Sequence, residues 1–62
     1  MNIQIGQVYH HPRYNTQVEI IETFAHCATV RFLGQPDKTD VHSLKGIRTW
    51  VLIKDTGERT NV

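Results

Sequence analysis

The feature that most constrains the fold is an alternation near the middle of the chain, where Ala28, Val30 and Phe32 are each separated by one residue. A period of two is typical of a β-strand with one buried face. Residues 18–24, just before it, are rich in β-branched and aromatic side chains, and only a few residues separate the two segments. Because so short a gap forces antiparallel pairing, residues 17–33 are predicted to form a β-hairpin.

The first strand of this hairpin contains an irregularity. Ile20 and Ile21 are adjacent, and neighbouring residues on a strand face opposite sides, so one isoleucine would face away from the core. A β-bulge or a strong bend near Ile21 or Glu22 would correct this, as is common in curled sheets. We therefore expect irregular pairing at this point.

The length of 62 residues allows one domain, and a chain this short buries only about 60% of the surface that its unfolded form exposes. Cys27 is the single cysteine, so no internal disulfide can form, and no metal-finger spacing surrounds it. An apolar core must supply the stability, with self-association as a further source. We expect one domain over residues 1–54 and a polar, flexible tail over residues 55–62.

Charge and hydropathy exclude some classes of protein. Seven Lys and Arg against six Asp and Glu give a net charge of +1, which provides no overall attraction to nucleic acid or anionic lipid. No apolar run approaches the roughly 18 residues of a membrane-spanning helix, and the first residues lack the features of a signal peptide. We expect a cytoplasmic protein without a membrane partner.

The segments before the hairpin are short. Ile3 and Ile5 alternate with polar residues and then meet Gly6, which predicts a short strand or an ordered arm that turns at the glycine. Residues 6–9 begin a second extended piece. Residues 10–15 are expected to be a loop, because Pro12 disfavours helix before it and Asn15 suits a turn.

The segments after the hairpin complete the layout. Residues 34–38 predict a second turn, residues 39–41 a short strand, and residues 41–46 a single helical turn capped by Ser43 or Asp40 and ended by Gly46. Four consecutive apolar residues at 50–53 predict the last strand. Either both faces of that strand are covered, or one face is an exposed patch open to a partner.

This layout resembles the SH3-like small barrels, a broad group that includes Tudor and KOW domains and the small SH3-like subunit of photosystem I. The resemblance is one of pattern and covers roughly residues 6–53. It rests on Gly-Gln-Val-Tyr at 6–9, Val-Arg-Phe at 30–32 and Val-His-Ser-Leu at 41–44. The predicted fold class is all-β: a small SH3-like barrel of about five short antiparallel strands, with one helical turn before the last strand.

The chain contains four histidines, namely His10, His11, His26 and His42. Adjacent histidines on an extended chain point opposite ways and no pair has a usual ligand spacing, so structural or surface roles are favoured over a metal site. If two histidines met in the fold, their contact would be sensitive to pH near the unperturbed pKa of about 6.5. Cys27 and His26 are not expected to form a catalytic pair, because sequence neighbours rarely present their side chains to each other. No cofactor is predicted.

Aromatic and basic residues are the candidates for binding a partner: Tyr9, Arg13, Tyr14, Arg31, Arg48 and Trp50. The resemblance to SH3-like barrels implies that Tyr9, Arg13 and Tyr14 lie beside the main groove, together with Trp50. Aromatic rings stack on bases and Arg contacts phosphate, but the same residue types dominate protein interfaces. The other interpretation places Tyr9 and Trp50 in the core and leaves Arg13 solvated.

An aromatic cage for methylated lysine or arginine is disfavoured. Such a cage needs three or four rings converging on one point, and the chain has five Phe, Trp and Tyr residues in all. Two of them, Phe24 and Phe32, are expected to belong to the core.

Three hypotheses about function follow. The first is a protein-interaction module, an accessory or inhibitor subunit of a larger enzyme of the kind that phages and plasmids encode. Near-neutral charge and the apolar run at 50–53 favour it, and the same run could form a homo-oligomer. The second is a nucleic-acid-binding domain that uses the loop with Tyr and Arg, as the fold resemblance implies.

The third hypothesis is an oligomeric enzyme, for which a plasmid-borne class of dihydrofolate reductase with an SH3-like barrel is a precedent. The pore-lining strand of that class has a Val-Gln-Ile-Tyr signature, whereas residues 50–53 are Trp-Val-Leu-Ile. No paired carboxylates, phosphate loop or triad spacing offers another route to catalysis. We therefore predict a non-enzymatic binding module and leave its ligand, protein or nucleic acid, undecided.

Overall fold

The computed structural model describes residues 2–55, which form one antiparallel sheet and one helical turn. The strands are β1 (Val8–His11), β2 (Thr16–Thr23), β3 (Cys27–Phe32), β4 (Gln35–Ser43) and β5 (Val51–Lys54), with α1 (Leu44–Ile47) before β5. The pairing order β4-β3-β2-β1-β5 puts β4 and β5 at the two edges. The prediction of a small all-β fold with five antiparallel strands and a helical turn before the last strand is confirmed. The closer resemblance to SH3-like barrels stays a prediction.

The predicted hairpin lies at the centre of the sheet. β2 and β3 pair antiparallel, with Val18 opposite Phe32 and Ile20 opposite Val30. The register shifts between Ile20 and Glu22, so Ile21 is the extra residue of a bulge, as expected. Both isoleucines are thereby accommodated, and Ile20 remains fully buried.

The core is filled by alternate residues of the central strands and by one residue of the helical turn: Tyr9, Val18, Ile20, Ala28, Val30, Phe32 and Ile47. Four half-buried apolar residues pack against this cluster: Ile3, Leu44, Trp50 and Leu52. Phe24 does not belong to it, because it lies in the turn between β2 and β3, and half of its surface is exposed. The prediction that Phe24 is a core residue is wrong, and the same prediction for Phe32 is confirmed.

The N-terminal residues form an ordered arm, one of the two predicted alternatives. Gly6 has a φ of 98°, a conformation that glycine adopts without strain, and the chain turns there. The backbone N–H of Gly6 donates to the carbonyl of Ile20, and the N–H of Ile20 donates to the carbonyl of Gln7. These bonds attach the arm to β2 just before β1 begins.

Two boundaries differ from the sequence prediction. His10 and His11 belong to β1 rather than to a loop, so the loop is reduced to residues 12–15, where Asn15 adopts a positive φ of 51°. β4 runs over nine residues instead of 39–41, because Gln35 already pairs with Phe32. In both cases, pairing with a neighbouring strand overrides weak local propensity.

The helical turn is capped as predicted but ends later. The backbone N–H of Gly46 donates to Ser43 Oγ at 3.0 Å, which is N-cap geometry. Gly46 lies inside α1 and does not end it, since Ile47 is still helical and Arg48 is the C-cap. A Cβ on residue 46 would lie 3.1 Å from Ser43 Oγ, so the absence of a side chain there suits the cap.

The predicted boundary between the domain and the tail falls beside a residue that contacts the domain. Asp55 Oδ1 accepts a hydrogen bond from Gln7 Nε2 at 3.0 Å, so the first residue of the predicted tail at 55–62 is in contact with the domain predicted at 1–54. Residues 56–62 lie outside the described part of the chain.

Within residues 2–55, no helix has the length and apolar character that crossing a membrane requires.

Candidate binding surface

The six residues predicted to bind a partner lie in three places rather than in one. Tyr9, Arg48 and Trp50 line one groove. Tyr14 and Arg13 lie in the loop of residues 12–15, and Arg31 lies on the outer face of the sheet. The groove brings together three of the six predicted residues, more than either of the other two places, and it is the candidate functional site.

This groove, called here the β5 groove, has a volume of about 360 Å³ and is lined by Ile3, Tyr9, Arg48, Trp50 and Leu52. It forms where the N-terminal arm, β1 and β5 meet beside the end of α1. Tyr9 pairs with Leu52 across β1 and β5, which fixes these two walls against each other. The lining is mainly apolar, with the exposed Arg48 as its charged member.

Tyr9 contributes its ring to the groove and commits its hydroxyl to the interior. The residue is 3% exposed, and its hydroxyl donates to Gln7 Oε1 at 3.0 Å. Burial raises the pKa of Tyr9, the negative charge of Asp55 raises it further, and Arg48 acts in the opposite direction. Tyr9 therefore stays protonated and keeps donating, and it lines the β5 groove as a member of the core with little exposed surface.

Gln7 is a buried polar residue, 2% exposed, and its side chain connects the arm, β1 and the end of β5. Its Oε1 accepts from the backbone N–H of Gln4 as well as from Tyr9, and its Nε2 donates to the carbonyl of Asn2 and to Asp55. Sequence reasoning missed this residue. The signal was available, since residues 7, 9 and 11 of an extended chain share one face, and Gln7 therefore faces inward with Tyr9.

Trp50 is half-buried and lies between the β5 groove and a second group of rings. This ring cluster consists of His11, Tyr14, Phe32, His42 and Trp50. His11 is its centre, 4.5 Å from the centroid of Trp50 and 4.9 Å from that of His42. β1 and β4 are not neighbours in the pairing order, so this contact shows that the sheet curls and brings them together.

Tyr14, in the loop of residues 12–15, lies on the side of the ring cluster away from the β5 groove. Tyr14 is 46% exposed and lines a smaller cleft of about 270 Å³ with Phe32 and Lys38. Lys38 Nζ lies 4.7 Å from the ring centroids of both Tyr14 and Phe32, which is cation–π geometry. The chain's own ammonium group thus lies over the two rings that a cationic ligand would use.

The remaining basic candidates have different surroundings. Arg31 forms an ion pair with Glu19 at 2.9 Å between neighbouring strands β3 and β2, and a partly exposed pair of this kind contributes about 0.2–1 kcal/mol. Arg13 is exposed, and its backbone N–H donates to His11 Nδ1 at 3.2 Å. Neither residue lines the β5 groove.

The outer side of β5 is apolar. Val51 and Ile53 are 62% and 47% exposed, while Leu52 between them packs against the core. Of the two alternatives for the run at 50–53, the structure of the described residues shows the exposed patch. The patch and the β5 groove thus occupy the two sides of one edge strand.

Two histidines meet, the condition for a pH-sensitive contact. His11 Nε2 and His42 Nε2 are 3.3 Å apart, and Asp40 Oδ2 lies 3.2 Å from the same His42 nitrogen. The pKa of His11 is lowered, first because burial disfavours the charged ring and second because His42 is adjacent. Among residues 2–55, no group of three or more His, Cys, Asp or Glu side chains is arranged to hold a metal ion.

Comparison of the chain with protein-family models, curated proteins and solved structures finds no match. Function is therefore inferred from the geometry of residues 2–55. The candidate binding surface is the combination of the β5 groove and the exposed edge of β5.

Proposed function

We propose that the protein is a small non-enzymatic module that binds another protein by accepting an extended segment of it along β5. The observation that carries this proposal is an apolar edge strand with an apolar groove on one side and an exposed apolar patch on the other. In this role the protein acts as an accessory or inhibitor subunit of a larger assembly.

The backbone of β5 supports strand addition. Within residues 2–55, β5 pairs only with β1, and we infer that a further strand adds at its other edge. Extended peptides bind such edges through main-chain hydrogen bonds, while pockets on the two faces select alternate side chains. An added strand would place every second side chain toward the β5 groove and the others beside Val51 and Ile53.

The charges near β5 favour an acidic residue in the partner segment. Arg48 lies at the groove, Lys54 is the exposed last residue of β5, and the acidic Asp55 that follows accepts a hydrogen bond from Gln7. A segment that combines apolar residues with Asp or Glu complements both features, since opposite charges across an interface improve specificity and association rate. The expected ligand class is therefore an extended, apolar and partly acidic stretch of protein.

The nucleic-acid hypothesis has less support. Two of the basic side chains are engaged within the chain, Arg31 with Glu19 and Lys38 with two aromatic rings. Binding to a phosphate backbone requires several cations that act together along one surface. Near β5 the described basic residues are Arg48 and Lys54, which flank an apolar surface, and the acidic Asp55 lies beside them.

The proposal is tested by selection from a displayed library of short random peptides. We expect wild-type protein to enrich extended apolar sequences that contain Asp or Glu. Ile53→Glu places a charge on the apolar edge that also repels an acidic segment, and it should weaken binding of a selected peptide about tenfold or more. Val41→Glu is the matched control, because Val41 is a similarly exposed aliphatic residue on the other edge strand, and it should bind like wild type.

Three results would contradict the proposal. These are the absence of enrichment, equal weakening by both variants, and salt-sensitive binding of wild type to DNA or RNA at low ionic strength. Sedimentation of the protein alone distinguishes a further case. A dimer lost in Ile53→Glu and retained in Val41→Glu would identify a second copy of this chain as the occupant of the edge.

A further inference from the structure

Where β1 and β4 meet, His42 Nε2 has two competing hydrogen-bond partners. The Nε2 atom of His42 lies within hydrogen-bonding distance of His11 Nε2, at 3.3 Å, and close to Asp40 Oδ2, at 3.2 Å. A neutral imidazole has one N–H donor and one acceptor nitrogen. His42 Nε2 can therefore accept from His11 or donate to Asp40, but it cannot do both.

The tautomer of His11 follows from its other neighbour. The backbone N–H of Arg13 donates to His11 Nδ1, so that nitrogen is an acceptor, and a neutral His11 carries its proton on Nε2. This proton points at His42 Nε2, which must then be unprotonated. The carboxylate of Asp40 in that state faces a lone pair, while its other oxygen accepts from the N–H of Val41.

We propose that uptake of one proton by His42 breaks the contact between His11 and His42 and displaces Trp50. Protonated at Nε2, His42 donates to the carboxylate of Asp40 in a charge-assisted hydrogen bond. Two N–H groups then face each other across the contact between His11 and His42, and the rings separate. Trp50 moves because its ring packs on both histidines, 4.5 Å from His11 and 4.9 Å from His42 by centroids.

The groups that face the pair come from two segments. Asp40 and Lys38 lie on β4, and Arg13 and Tyr14 lie in the loop after β1. Asp40 favours a proton on His11, whereas Arg13 opposes it. The other neighbours, the rings of Phe32 and Trp50, do not titrate in this range.

The lowered pKa of His11 sets the sign of the stability effect. The unfolded chain, with a histidine pKa of about 6.5, binds more protons than the folded chain between that value and the lower folded pKa. The stability that His11 contributes is therefore complete above the unfolded pKa and is lost as the pH falls through this interval. Just below the unfolded pKa, His11 stays neutral in the folded chain and keeps its Nε2 proton directed at His42.

The displacement of Trp50 also changes the β5 groove, because Trp50 lines that groove. Binding of a partner segment should weaken in mild acid, and this consequence rests on the proposed function. The opening of the contact does not, because it is measured on the protein alone.

The experiment is a pH titration of tryptophan fluorescence, since Trp50 is the single tryptophan of the chain. The protein is titrated from about pH 8 to about pH 5 with a chelator present, a range that covers the histidine pKa. We expect a change of emission in wild type that persists in His10→Gln and His26→Gln. In His42→Gln the emission should stay constant through this range, because glutamine accepts from His11 without taking up a proton.

Asp40→Asn is a second variant that needs no change at the ring cluster. It removes the charged acceptor, so the transition should move to lower pH. A wild-type emission that does not change with pH would overturn the proposal, as would a transition that His42→Gln retains. An Asp40→Asn transition at the wild-type pH would remove Asp40 from the mechanism and overturn the proposal in this form.

Discussion

The two edge strands of the sheet are built in opposite ways. β4 has nine residues, carries Asp37, Lys38 and Asp40, and is exposed along its length except at His42. β5 has four residues, three of them aliphatic, and only its last residue is charged. One sheet therefore has a polar edge and an apolar edge.

This difference separates protection from binding. Charged residues and proline on an edge strand prevent pairing with other chains, and β4 has both, with Pro36 near its start. β5 lacks this protection over most of its length and borders the β5 groove. On the proposed function, a partner would be directed to β5 both because the charges and proline of β4 exclude an added strand and because β5 accepts one.

The two edges also differ in how they are attached. β4 is joined to the sheet mainly through its long pairing with β3, and His42 is its one half-buried side chain. β5 pairs over a short stretch of β1 and relies on side chains: Leu52 packs on the core, and Gln7 bonds to Asp55 just after the strand ends. Side-chain truncations should therefore affect β5 more than β4.

The largest effect is expected for Gln7→Ala, which removes the polar anchor of β5. Four hydrogen bonds are lost, and buried partners such as the Tyr9 hydroxyl are left unsatisfied, so the free energy of unfolding should fall by about 2–3 kcal/mol. Urea denaturation at neutral pH measures this. Gln4→Ala is the control, because Gln4 contributes its backbone N–H to the same network, and it should be near neutral. Equal losses in the two variants would contradict the account of Gln7 as the anchor.

A smaller effect is expected for Leu52→Ala, compared directly with Val41→Ala. Leu52 is half-buried against the core, so its truncation should lower the free energy of unfolding by about 1.5 kcal/mol. Val41 on β4 is 58% exposed, and its truncation should change stability by less than about 0.5 kcal/mol. The comparison of the edges fails if Val41→Ala proves as costly as Leu52→Ala in the same denaturation series.

The central hairpin could be predicted from sequence because its signal is local. The alternation around Val30 predicts a strand of the hairpin, and the adjacent isoleucines at 20 and 21 predict the bulge. The structure contains both. The extent of β4 could not be predicted, because Asp37, Lys38 and Asp40 have poor strand propensity. Their extended conformation is imposed by pairing with β3.

The candidate site was predicted in part. Residue type, with the resemblance to SH3-like barrels for Tyr9 and Trp50, selected Tyr9, Arg48 and Trp50, which do meet in the β5 groove. The contact of His11 with His42 joins residues 31 positions apart across the curled sheet, so neither spacing nor periodicity indicates it. Such a pair depends on how strongly the sheet curls, and no local pattern specifies that.

The smallest effect concerns Ser43, where β4 ends and the turn that leads to β5 begins. Ser43→Ala removes the acceptor for the N–H of Gly46 and should lower the free energy of unfolding by about 1 kcal/mol or less, because the cap is exposed. Ser43→Asp keeps an acceptor and should retain wild-type stability in the same urea titration. Since α1 positions Arg48 and Trp50 beside β5, loss of the cap should also weaken a peptide bound at β5 while leaving the pairing of β4 with β3 unchanged in hydrogen exchange. A weakening confined to β4 would show that the cap serves the polar edge and not the apolar one.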